Sequence, residues 1–358
     1  KDLNRIAMES LTAKIYSQAH YKASEGAPLI FELTNHSKKP VHILKWFTPL
    51  EGMKSDCLQV VRNGKSIPYD GRLVKRGTPV PKDFLVLAPG ASVHAKINIS
   101  EAYNLSKSGR VKVDFKPEKF IFLKEKPIHP FLASTAEGRK SIKAVKVITK
   151  GAAFQVTGSA SALLTTGEAA RDMERRKVPS RKKKIQASPF MTVGPHPLPC
   201  KVRGGNTKRK PVATKAHLNG YHLAKATLGQ MGNNKKFKTW FGRFSKTRFK
   251  KVKLDFQKIT DEFEQKEFTY DLSGYQCDRG DYAYTYKGTT TIWLCSAFWT
   301  APANGTDSRA GTLVHEHSHA SAFTDDIAYG EEDCLQLSRK NPEKAVRNAD
   351  SHEFYAGG

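Results

Sequence analysis

No run of 18 apolar residues occurs anywhere in the 358-residue sequence, so it holds no segment able to cross a membrane as a helix. Residues 1–18 lack the continuous apolar core of a signal peptide; a secreted form is one whose signal has already been removed. Cysteine is scarce. Cys57, Cys200, Cys277, Cys295 and Cys334 are the only five, and none sits in a C-x-x-C pair, which argues against a structural zinc knuckle. Acidic residues are also few: 34 against 60 Lys and Arg, a formal net charge of +26. Such a chain is drawn to anionic surfaces by charge alone. Yet no helix-turn-helix pattern, aromatic RNA-binding motif or zinc knuckle accompanies the charge. The surplus reads as a solvated basic surface plus a basic linker, with no dedicated nucleic-acid partner.

What is present centres on residues 311–330, GTLVHEHSHASAFTDDIAYG. His315, Glu316 and His319 form an H-E-x-x-H motif. On a helix, positions i and i+4 share a face, so the two imidazoles can hold one metal ion. Glu316 then lies beside the metal, where it can take a proton from water. Leu313 and Val314 supply the apolar flank of a buried helix. Thr324, Asp325, Asp326, Tyr329 and Gly330 follow, offering carboxylates, a phenol and a turn. Asp325 and Asp326 are the carboxylates on offer as a further ligand; His317 faces another side of the helix and is not expected to ligate.

This segment resembles the aspzincin family of metallopeptidases, which includes deuterolysins and peptidyl-Lys metalloendopeptidases. That family pairs H-E-x-x-H with a downstream G-T-x-D-x-x-Y-G. Thr324, Asp326, Tyr329 and Gly330 match it, and Phe323 stands where the family has its first glycine. Residues 305–312 (GTDSRAGT), 294–299 (LCSAFW) and 348–351 (NADS) add to the likeness, which covers residues 200–356. The resemblance implies one Zn2+ held by His315, His319 and Asp326, with Glu316 as general base and Tyr329 as donor to the tetrahedral oxyanion. Asp350 and Glu353 sit at i,i+3 on a last helix, and the matching acids of the peptidyl-Lys branch line an S1′ pocket for a substrate lysine. Cys277 and Cys295 correspond to the family's disulfide pair. A second bridge between Cys200 and Cys334 is open, with Cys57 left over. Disulfides favour an oxidising, extracellular setting.

Along the chain, short alternating or β-branched runs recur at residues 29–33, 41–47, 58–61, 84–87, 93–99 and 111–115, each bounded by Gly, Pro or Asn. This spacing predicts an all-β sandwich over residues 1–160. Residues 44–52 and 73–77 resemble the propeptide domain of bacterial aspzincin precursors. Residues 161–199 read as a basic, protease-accessible linker carrying the activation site: from Arg171 to Lys215 there are 14 Lys or Arg against two acids. Residues 200–358 read as an α+β, zincin-type catalytic domain, with helices near 216–231, 237–244 and 248–266, a hairpin at 282–294, the metal helix, and a last helix around 342–354.

The function expected is therefore that of a secreted zinc endopeptidase in zymogen form, acting on protein or peptide substrates and favouring Lys on the P1′ side. Its own propeptide would serve as inhibitor, with Lys75 of the basic loop at residues 73–77 plugging the acidic pocket. The alternative reading is a basic anion- or nucleic-acid-binding protein carrying a degenerate metallopeptidase domain.

Overall fold

The computed structural model of the chain describes residues 11–77, 79–117, 122–123, 147–159, 164–177 and 196–357. Among the described residues it is a mixed α and β structure with four sheets, and the chain divides into two units: residues 1–72 with 78–168, and Leu73–Gly77 with Ala169–Gly358.

The first unit is built from strands β1 (Leu11–Tyr16), β2 (His20–Lys22), β3 (Pro28–Asn35), β4 (Val41–Leu44), β5 (Leu58–Arg62) and β6 (Lys65–Ser66). The next strand, β7 (Leu73–Arg76), belongs to the second unit. The first unit resumes with β8 (Phe84–Leu87), β9 (Ser92–Asn98), β10 (Lys107–Phe115), β11 (Phe122–Leu123), β12 (Val147–Lys150) and β13 (Ala152–Ser159). They form three sheets, in the orders β12-β1-β3-β9, β2-β13-β10-β5-β6 and β11-β4-β8. Alternation fixes which face is inward. In β10, Val111, Val113 and Phe115 are buried while Arg110 and Lys112 face out. In β3, Leu29, Phe31 and Leu33 are buried, and the Phe31 ring meets Phe115 of the second sheet at 5.2 Å between centroids. The β5–β6 hairpin turns on Asn63-Gly64, both at positive φ, as a two-residue turn matching the strand twist requires.

Part of the stretch expected as linker is helical: α1 (Thr166–Lys177). Its second unit portion docks on a hairpin turn, with Arg171 donating to the Lys287 carbonyl at 2.8 Å and Glu174 accepting from the Thr290 amide. Residues 178–195, including the basic run at 181–184, lie outside the described residues.

The second unit continues with β14 (Lys201–Arg203), α2 (Arg209–Gln230), α3 (Lys235–Phe241), α4 (Lys246–Gln265), β15 (Thr269–Asp271), β16 (Asp281–Thr285) and β17 (Thr291–Leu294). Helices α5 (Ser296–Thr300), α6 (Arg309–His317), α7 (Glu331–Lys340), α8 (Pro342–Ala345) and α9 (Ala349–Gly357) follow. The sheet order is β14-β15-β17-β16-β7, parallel from β14 to β17 and antiparallel thereafter. The expected last helix is broken into α8 and α9 because Asn348 is used between them: its side chain accepts from the Ile327 and Ala328 amides and pins the loop that carries Asp326, the ligand loop below. Cys277 and Cys295 are bonded. The second bridge does not form; Cys200 and Cys334 are free, as is Cys57.

Two apolar clusters meet at α6. Leu313 packs with Phe268, Tyr270, Ile292 and Phe298 on the sheet side. Val314, the next residue, packs with Phe256, Phe263 and Phe354 on the helical side. The helix carrying the motif is thus enclosed, and its polar residues are buried with it.

Candidate active site

Ser308 caps α6, its hydroxyl accepting from the Gly311 amide at 3.0 Å, and this fixes where the helix begins. The helix then passes into a π turn, Ser318–Ala322, of the kind found at functional sites. The turn ends on Phe323 at φ 59, ψ 34, the left-handed region. Glycine adopts this conformation freely, whereas it costs a residue with a side chain energy.

Within this frame His315, Glu316 and His319 are fully buried. His315 Nε2 and His319 Nε2 are 3.1 Å apart, and Asp326 Oδ1 lies 3.2 Å from each. Each imidazole is oriented from its other nitrogen. His319 Nδ1 lies 3.0 Å from the Thr324 carbonyl, and His315 Nδ1 lies 2.8 Å from Asp350 Oδ1. Such outer partners set the tautomer and aim Nε2 at the metal. Donors about 2.0–2.1 Å from one zinc ion in a tetrahedral set stand about 3.3 Å apart. The observed triangle therefore fits Zn2+, and a site of two histidines and a carboxylate leaves a fourth position for substrate or water. Asp325 is not in this group. It pairs with Lys287 and Arg347, and these two cations outweigh the opposing effect of burial and hold its carboxyl below the usual range. His317 points elsewhere, its ring stacked on Phe263 at 3.9 Å and its Nε2 3.1 Å from the Tyr270 hydroxyl.

Glu316 has neither carboxylate oxygen in good hydrogen-bond geometry. Burial pushes its pKa well above the usual value, opposed by His315 and by the backbone N–H and ammonium of Lys75. A carboxylate so placed is suited to taking and returning a proton.

Strand β7 lies antiparallel to β16 at the edge of the sheet, with Val74 opposite Tyr284 and Lys75 opposite Ala283. The Tyr329 hydroxyl donates to the Val74 carbonyl at 2.8 Å, and the Val74 amide donates to Asp326 Oδ2 at 2.9 Å. The side chain of Lys75 is fully buried. Its ammonium lies 2.8 Å from Glu353, 3.1 Å from Asp350 and 2.9 Å from Asp307. Burial opposes its charge, but Asp350, Glu353 and Asp307 outweigh it and hold the pKa well above that of a free lysine. The structure thus brings together all eight singled-out residues: His315, His319, Asp326, Glu316, Tyr329, Asp350, Glu353 and Lys75. Asp307 was missed. It stands within the GTDSRAGT stretch, but no helical spacing ties it to Asp350 and Glu353.

Two imidazoles and a carboxylate around one point, with a buried glutamate beside them on an H-E-x-x-H helix, are the working parts of a metallopeptidase. Known proteins narrow this class. The profile of the aspzincin family, described as lysine-specific metallo-endopeptidase, matches residues 226–357. An extracellular protease of Aeromonas hydrophila is 30% identical over 334 residues, 90% of this chain and 86% of that one. A peptidyl-Lys metalloendopeptidase of Pleurotus ostreatus is 42% identical over 125 residues, 34% of this chain and 72% of that one. Among solved structures, a zinc peptidase from Grifola frondosa aligns with 42% of this chain and 96% of its own, at 32% identity and a TM-score of 0.40. The chain belongs to the aspzincin family and is a zinc metalloendopeptidase. The reading as a basic binding protein with a degenerate peptidase domain is set aside.

Proposed function

We propose that the chain is the latent form of a secreted endopeptidase that cuts on the amino side of lysine, and that Leu73–Gly77 lies in the cleft as a substrate would. The observation that carries this is the Lys75 ammonium among three carboxylates while the carbonyl of the preceding residue accepts from Tyr329. A lysine-directed peptidase needs an acidic pocket one residue past the bond it cuts, and Asp350 and Glu353 supply it. The printed name of the Pleurotus relative, a peptidyl-Lys enzyme, supports the same preference. Secretion is supported by the name of the Aeromonas relative and by the Cys277–Cys295 disulfide, a bond of oxidising compartments.

In this reading His315, His319 and Asp326 hold one zinc ion, which when bound polarises the scissile carbonyl and lowers the pKa of water. Glu316 takes the proton from the attacking water and passes it to the leaving amine, whose counterpart in the latent chain is the Lys75 nitrogen. Tyr329 donates to the carbonyl oxygen, a bond that strengthens as negative charge grows there. Asp350 has two tasks, orienting His315 and contributing to the lysine pocket. Residues 1–160 act as the prodomain, and the basic stretch at 161–199 carries the activation cut.

Latency is tested with Lys75→Ala in the full-length chain. Removing the ammonium leaves buried carboxylates uncompensated, a loss of about 3–5 kcal/mol for a broken buried pair, so β7 should leave the edge of β16. Chelator-sensitive cleavage of a lysine-containing peptide should then rise at least tenfold, and Glu316→Ala on the same background should abolish it. A Lys75→Ala chain as silent as the parent would refute the plug.

A further inference from the structure

Three carboxylates meet the Lys75 ammonium, and they are not equivalent. Asp350 Oδ1 is shared with His315 Nδ1, and its Oδ2 accepts from the Gly330 amide at 2.7 Å. Glu353 also lies 3.5 Å from His315 Nδ1. Both belong as much to the metal ligand as to the pocket. Asp307 has no such tie. It comes from the loop before α6, its side chain is one-third exposed, and it reaches the ammonium at 2.9 Å. Its backbone is at φ 49, a left-handed conformation that asparagine and aspartate adopt more readily than other side-chain-bearing residues. Backbone outliers of this kind cluster where a side chain must be aimed at a ligand.

We infer that Asp307 is a specificity-determining residue of the S1′ pocket, the carboxylate that selects a lysine ammonium over a guanidinium or a neutral chain. This rests on the reading of the acidic pocket as the lysine site. An ammonium carries three N–H donors in a tetrahedral array, and the pocket offers oxygens from Asp307, Asp350 and Glu353, one for each. A guanidinium is planar and presents its donors as a fork, so three oxygens gathered around one point suit it poorly. A neutral chain of the same length leaves all three carboxylates uncompensated. Because Asp307 alone does not touch His315, it is the member of the three through which selectivity can change apart from the metal centre.

The test uses enzyme activated from the full-length chain and three peptides differing only at P1′: lysine, arginine and norleucine. Asp307→Asn keeps the size and the backbone preference; Asp307→Ala is the second variant should Asn retain partial bonding. Zinc content is measured alongside. The expected result is that Asp307→Asn loses at least tenfold more in kcat/KM on the lysine peptide than on the norleucine peptide, with the larger share in KM. Asp307→Glu should recover part of the lost preference. Equal losses on all three peptides, or zinc lost together with activity, would assign Asp307 a structural role and overturn the inference. An unchanged lysine preference in both variants would overturn it too. If the parent enzyme itself shows no lysine preference, the reading of the pocket fails first and the inference fails with it.

Discussion

Asp350 Oδ1 lies 2.8 Å from His315 Nδ1 and 3.1 Å from the Lys75 ammonium, so one carboxylate serves both the Lys75 side chain and the proposed metal ligand. Asp350→Asn should therefore weaken both functions. Loss of a carboxylate behind a ligating histidine typically costs about 10–100-fold in metal affinity. Zinc competition with a chromophoric chelator should show a drop of that order in Asp350→Asn, and a smaller one in Glu353→Gln, whose carboxylate is 3.5 Å from the same nitrogen. Equal zinc affinities in the two variants would show that Asp350 does not support His315.

Gly311 lets α9 approach α6. A Cβ there would stand 2.8 Å from Glu353 Oε1 and 3.1 Å from its Cγ. The end of the glutamate can move, so Gly311→Ala should cost little stability, about 1 kcal/mol, the scale of a modest steric adjustment. It should nevertheless displace one wall of the proposed lysine pocket. The expected outcome is a several-fold rise in KM for lysine peptides with the unfolding midpoint nearly unchanged.

Phe323 sits in the left-handed region and is 56% exposed, so its ring contributes little burial to offset the backbone strain. Phe323→Gly should relieve about 1–2 kcal/mol of strain, less the added freedom glycine gives the unfolded chain, about 0.4–1 kcal/mol. A net gain of up to about 1.6 kcal/mol should appear in urea denaturation of the metal-free protein. A loss larger than 1 kcal/mol would mean that the ring holds the ligand loop.

The Arg203–Asp271 pair ties β14 to β15, with the guanidinium 2.6 Å from the carboxylate. Burial raises the Asp271 pKa, but Ser273 and Arg203 outweigh it and the folded value is depressed. A depressed carboxylate stabilises the fold above its unfolded pKa, and that contribution is lost as pH falls through the folded pKa. Arg203→Ala should thus destabilise at pH 7 by about 0.5 kcal/mol, given the exposed arginine. The difference from the parent should vanish in acid, well below the usual aspartate range; a constant difference across pH would point to packing instead of charge.

What could be read along the sequence was local. The His315/His319 spacing, the step to Asp326 and the i,i+3 pair Asp350/Glu353 each follow from a single element or loop. So do the hairpin at β16–β17 and the short strands of the first unit, where alternation alone marks the inward face. What could not be read depends on distant segments meeting. Charge complementarity and the propeptide resemblance put Lys75 against the acidic pocket, but the route, β7 adding to the edge of β16, has no local signal. Asp307 joins them from a loop. The break between α8 and α9 exists because Asn348 spends its side chain on the ligand loop's amides, and the apolar periodicity of residues 342–354 does not register that. Cys200 and Cys334 were open to pairing on sequence grounds; in the fold Cys334 instead lies buried against Ala328 and Asn348.

The most direct test is to map cleavage sites. The zinc-loaded enzyme activated from the full-length chain is given an unfolded protein containing every residue type, and the new N-termini are identified by mass spectrometry. The account predicts that nearly all begin with lysine, that a chelator stops the reaction, and that Glu316→Ala yields none. New N-termini spread over many residues, or undiminished cleavage by Glu316→Ala, would contradict it.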